Sequence, residues 1–157
     1  MIAELTTLEW WEMLSYIVTV VALPQAIWLY FRDQTREREN EEEEVYLQLS
    51  DAYDKFSNVL LENADLQLVG GSLPDNALTA EQRERKKIIY EMLVSLFERA
   101  FILVYEDDMD KQARRRWASW EDYIKFWLTR DDFRTILPEL LKGEDEDFID
   151  YMNKIAS

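Results

Sequence analysis

Seven of the 18 Lys and Arg residues fall in two short runs, Arg83, Arg85, Lys86 and Lys87 in one and Arg114, Arg115 and Arg116 in the other, with Trp117 and Trp120 just beyond. Guanidinium and ammonium groups hold phosphate oxygens and indole rings stack on bases, so these residues form the candidate ligand-binding set for a nucleotide or short oligonucleotide. The same cations have a plainer use, because the chain carries 33 Asp and Glu and a net charge of −15 that local basic residues would offset. Carboxylates cluster too. Glu41, Glu42, Glu43 and Glu44 follow Glu37 and Glu39. Such a run is either a solvated helix face or, in a symmetric oligomer, an acidic mouth whose stacked rings would concentrate cations. Glu106, Asp107, Asp108 and Asp110 offer oxygen for a divalent ion, yet they stand where one helix ends and another begins, and capping is the preferred role.

Missing residue types narrow the chemistry. The chain has no Cys and no His, which removes disulfides, thiolate and imidazole metal sites, cysteine nucleophiles and histidine bases together. Its three glycines, Gly70, Gly71 and Gly143, cannot form a phosphate-binding loop, a dinucleotide fingerprint or an EF-hand. No enzymatic activity, cofactor or metal is expected. The acidic balance also argues against binding double-stranded nucleic acid.

The element that places everything else is the uncharged stretch Met13 to Phe31. Nineteen residues of helix reach roughly 28 Å, about the hydrocarbon thickness of a bilayer. Trp10 and Trp11 precede the stretch and Trp28 and Tyr30 close it, as aromatic belts do at membrane interfaces. Glu4, Glu9 and Glu12 lie before it, whereas Arg32, Arg36 and Arg38 follow. Because basic flanks stay inside, the expectation is a single pass through a membrane, with the N-terminus outside and the bulk of the chain cytosolic. The expected organisation is an extracytoplasmic N-terminus over 1–12, a transmembrane helix over 13–31, a charged stalk over 32–44 and a helical bundle over 45–157. Within the span, Ser15, Thr19, Ala22 and Ala26 recur at spacings of four, three and four, a stripe of small side chains that lets helices approach closely. Pro24 frees the carbonyl of Val20 and predicts a bend, and Gln25 is costly against lipid. These residues are candidates to pack helices together or to line a pore, which a single pass can build only as an oligomer.

The cytosolic part reads as all-α, with four or five helices. A helix over Arg32 to about Asn63 gains an apolar face only from Val45 onward, through Leu49, Ala52, Phe56 and Val59. The stretch Asn63 to Ala77, with both adjacent glycines and Pro74, is a loop, after which Thr79 and Gln82 predict a capping box. Ile88, Ile89, Met92, Leu93, Leu96, Phe97, Ala100, Leu103 and Val104 predict a central core helix ending at Tyr105. Trp117, Trp120, Ile124 and Trp127 mark the next helix, to Arg130, and such an aromatic stripe also suits a core. Asp131 is expected to cap a short helix through Leu141 that Gly143 terminates, and a last helix runs from Asp145 to Ala156.

The run Arg114 to Ala156 resembles the ending of a loose set of uncharacterised bacterial membrane-anchored helical proteins, in which a Trp-rich helix precedes a D-x-F-R helix and a terminal F-x-x-Y-x-N-x-I helix, here Asp131 to Arg134 and Phe148 to Ile155. That resemblance implies a fold. In architecture the chain is similar to the small transmembrane effectors of bacterial anti-phage signalling, of the CBASS, type III CRISPR and Hailong kinds. This second resemblance implies an oligomeric effector or ion channel gated by a nucleotide or oligonucleotide messenger that a partner enzyme makes. The alternative is a membrane-anchored scaffold or regulator whose bundle binds another protein. The expected partners are thus the lipid bilayer, further copies of the chain, and either that messenger or a protein.

Overall fold

The computed structural model describes residues 23–71 and 73–157, with side chains except at 34–42. Residues 1–12, Ser15, Thr19, Ala22 and the rest of the expected span before Leu23 lie outside the described residues, as do the side chains of Glu41 and Glu42. Every regular element among the described residues is helical, as expected of an all-α chain. α1 covers Leu23–Glu62, α2 Ala80–Val104, α3 Lys111–Leu128, α4 Asp131–Leu140 and α5 Glu146–Ala156. Two 3-10 turns, Ala64–Leu66 and Asp75–Ala77, punctuate the loop between α1 and α2.

Among the described residues no helix is long and apolar enough to cross a membrane. The part of the expected span that is described, Leu23 to Phe31, forms opening turns of α1, where Pro24, Gln25 and Ala26 are exposed together with Trp28, Tyr30 and Phe31. Glu43 and Glu44, further along the helix, are exposed as well. Contacts divide the chain into two units, Met1–Tyr46 and Leu47–Ser157.

The second unit holds the core. Its part of α1 buries Leu49 and Phe56, in keeping with an apolar face that begins only after the charged run. α2 starts on a full capping box: the Gln82 amide donates to Thr79 Oγ1 at 3.1 Å while the Thr79 amide donates to Gln82 Oε1 at 2.9 Å. Ile89, Tyr90, Leu93, Val94, Phe97 and Ala100 then bury one side of α2. The broad apolar face expected there is narrower, since Ile88, Met92 and Leu103 are exposed. Asp110 caps α3 by accepting from the amides of Gln112 and Ala113. Trp117, Trp120, Ile124 and Trp127 enter the core from α3, and Phe133 and Phe148 meet them from α4 and α5.

One junction differs from expectation. The N-cap of α4 is Arg130, which makes no side-chain cap bond, and Asp131 is the first helical residue instead. The neighbouring carboxylate, Asp132, is drawn into a tertiary network, so neither aspartate caps. Pro138 sits inside α4 without ending it, and Leu141 closes the helix before Gly143 turns the chain at φ +95°. That left-handed conformation is accessible to glycine without a Cβ penalty.

Candidate functional site

The first basic run does not face an open anion site. Lys86, on the second turn of α2, is buried, and its ammonium lies 2.7 Å from Asp132 Oδ2 and 3.0 Å from Asp75 Oδ1. Arg130 completes the pairing, with Nη2 2.9 Å from Asp132 Oδ2 and Nε donating to Oδ1 at 3.1 Å. The Tyr90 hydroxyl donates to Asp132 as well, at 3.0 Å. Two cations therefore meet two carboxylates, and the cluster carries no surplus charge. Burial pushes the Asp132 carboxyl up, but hydrogen bonds from Arg130 and Lys86 and their positive charges outweigh it and hold it at about 2. Burial, and then the charge of Asp132, pushes the Tyr90 hydroxyl well above its ordinary value.

The network's second task is to fix the loop. Arg130 Nη1 donates to the carbonyls of Leu68 and Gly71, supplying partners that a part-buried loop backbone needs. Arg85 reaches Asp65 at 2.8 Å and Asn63 at 2.7 Å. Arg83 donates to the carbonyls of Leu78 and Asp75, and Lys87 pairs with Glu139 at 2.6 Å. A cavity of about 320 Å³ opens beside Lys86, Tyr90, Asp132 and Ile136, but the cations on its wall are already engaged.

The second basic run is placed differently. Arg114 and Arg115 are exposed on the first turns of α3, while Arg116 lies close enough to Asp110 to help lower that carboxyl's pKa, after the amides of Ala113 and Gln112. The indoles that follow are not open platforms. Trp117 is 2 % and Trp120 5 % exposed. Trp117 Nε1 donates to the Tyr151 hydroxyl at 2.9 Å, and Trp120 packs edge-on against Tyr53. The structure thus separates the nine candidate residues into four engaged cations on α2, two buried rings on α3, two exposed arginines and Arg116 near Asp110.

Another opening in the second unit has the opposite chemistry. A cleft of about 540 Å³ lies between the end of α2 and the start of α5. Phe101 and Tyr105, stacked with centroids 4.5 Å apart, form its aromatic wall together with Tyr151, whose ring is 5.0 Å from Tyr105. Glu106, Asp107, Asp145, Asp147 and Asp150 line it against a single cation, Lys154. Asp145 caps α5 with one oxygen, accepting from the amides of Asp147 and Phe148. Burial pushes the Tyr151 hydroxyl up to about 12, partly offset by the bond from Trp117, so the ring stays neutral. Among the described residues no group of three carboxylates stands together closely enough to hold a metal ion.

Sequence reading missed this cleft because its parts are far apart in the chain. The acidic turn after α2 was legible as capping material; that Tyr105 and Tyr151 would share a wall was not. No protein-family model, curated protein or solved structure matches the chain.

Proposed function

We propose that the chain is a membrane-anchored scaffold or regulator whose helical unit, Leu47–Ser157, binds another protein by taking a basic segment of it into the acidic, aromatic cleft. The observation that carries this reading is the division of charge. Lys86 and Arg130 are paired internally with Asp132 and Asp75, whereas five carboxylates line an aromatic wall with one lysine among them. An Arg or Lys side chain entering the cleft would lie against a tyrosine face and reach a carboxylate, gaining a cation–π contact and a charge-assisted hydrogen bond. The anchor is the uncharged stretch Met13 to Phe31, and the arginines after it orient the unit toward the cytosol.

The test is a calorimetric titration of the full chain in nanodiscs with a tetra-arginine peptide. Binding is expected, and the pair Asp147→Lys with Asp150→Lys should weaken it by at least about tenfold, a loss of 1.4 kcal/mol. Asp51→Lys, on α1 and away from the cleft, should leave it unchanged. Equal weakening by both variants would reduce the effect to bulk charge and remove the site.

One observation favours the second reading, a nucleotide-gated membrane effector or channel: Arg114 and Arg115 are both exposed. Titration of the same sample with ATP and with a mixed-sequence tetranucleotide distinguishes the two. Nucleotide binding that disappears in Arg114→Glu with Arg115→Glu, at unchanged helicity, would replace the scaffold reading.

A further inference from the structure

Part of the apolar surface of α2 points away from the core. Ile88, Met92, Ile102 and Leu103 are 48 %, 44 %, 60 % and 49 % exposed. At 3.6 residues per turn, Ile88, Glu91, Ser95, Arg99 and Ile102 fall on one outer stripe. Their spacings are three, four, four and three, so the stripe reads the same in both directions about Ser95. A groove of about 500 Å³ runs beside it, with Phe56 and Val59 of α1 on one side and Met92 and Leu96 of α2 on the other. The charges on the stripe are weakly engaged. Glu91 has Lys87 at 4.0 Å, and Arg99 makes no ion pair or hydrogen bond among the described residues.

We propose that this face binds a second copy of the chain, α2 against α2, antiparallel about a two-fold axis through Ser95. Such an axis sets Glu91 of each copy opposite Arg99 of the other, and Ile88 opposite Ile102, so each of these contacts occurs twice and each is complementary. A parallel arrangement would set Glu91 on Glu91 and Arg99 on Arg99, which repels. The helix ends at Val104, and the contact covers the roughly 21 Å of it between Ile88 and Ile102. Ser95 is the smallest side chain of the stripe and sits where the axes must come closest. With helix axes roughly 9–10 Å apart, the two Ser95 Cα atoms stand about 5 Å from each other, within disulfide reach. This pairing does not depend on the small-residue stripe of the expected membrane span.

Because the chain has no cysteine, Ser95→Cys introduces a single thiol at the axis. Mild oxidation of the full-length variant in nanodiscs should yield a disulfide-linked dimer, while Asp122→Cys, exposed on α3, should stay monomeric on the same gel. Cross-linking of the two variants to equal extents overturns the proposal. Charge exchange supplies the second arm. Glu91→Arg and Arg99→Glu should each reduce Ser95→Cys cross-linking by at least about tenfold, and the double exchange should restore it, since opposite charges face again. Failure of the double exchange to recover, with helicity intact, would show that these residues do not meet across an axis. The variants leave the carboxylates of the cleft untouched, so this experiment and the peptide titration fail independently.

Discussion

Asp132 is the residue on which the loop, α2 and the α3–α4 junction converge. Replacing it by Asn would leave Lys86 and Arg130, both nearly buried, without their shared counter-charge. Breaking a buried pair from one side costs about 3–5 kcal/mol, so Asp132→Asn should show that loss in urea unfolding monitored by circular dichroism. A cost under about 1 kcal/mol would mean that the network is open to water. Its pH dependence has a definite sign. The folded carboxyl is held at about 2, below its ordinary 3.8, so its contribution is complete above pH 3.8 and disappears as pH falls through 2. Glu144 behaves in the opposite sense. Burial, with Glu98 beside it, raises its carboxyl to about 7. The fold thus holds a proton that the unfolded chain releases, and stability falls as pH rises from 4.5 to about 7. Thermal melts at pH 5 and pH 8 should show a larger drop for the natural chain than for Glu144→Gln; equal drops would clear Glu144 of that role.

At the scale of the element, the outcome depends on whether a signal is local. The capping box of α2 involves two residues three positions apart, and it appears as the sequence predicts. Thr79→Ala should therefore cost about 1 kcal/mol in urea unfolding, while Thr79→Ser keeps the acceptor oxygen and most of the stability. An Ala variant as stable as the Ser variant would show that the Gln82 bond to Asp65 suffices to hold that end. Asp110 is legible as a cap for the same reason, because its partners lie two and three residues on, and Asp145, expected as the first residue of the last helix, caps it in the same way. Asp131 misled because two adjacent aspartates compete for one cap and tertiary partners decide between them. Arg130, which binds carbonyls about sixty residues earlier in the chain, carries no local pattern that would announce the contact. Periodicity found the apolar residues of α2 but not their allocation. A stripe gives the width of a face, and only the neighbouring helices determine how much of it they cover, which is why Ile88 and Met92 belong to the apolar pattern yet stand outside the core.

At the scale of the whole molecule, the division at Tyr46 and Leu47 separates what holds the fold from what is expected to locate it. Every buried residue of the described core, from Leu49 to Met152, lies in the second unit, and so do the buried ion network and the acidic cleft. A chain of that length buries enough surface for one cooperative core. Residues 47–157 expressed alone should therefore unfold in urea in a single transition with the helicity of the fold retained; a gradual, non-cooperative loss would mean that the first unit supplies stability no contact here reveals. The same fragment separates two sources of self-association. The proposed α2 pairing lies wholly inside it, so Ser95→Cys should still cross-link after residues 1–46 are removed. If the fragment folds cooperatively yet stays monomeric while the full chain associates, self-association belongs to the N-terminal segment, and the outer face of α2 is free for a different protein.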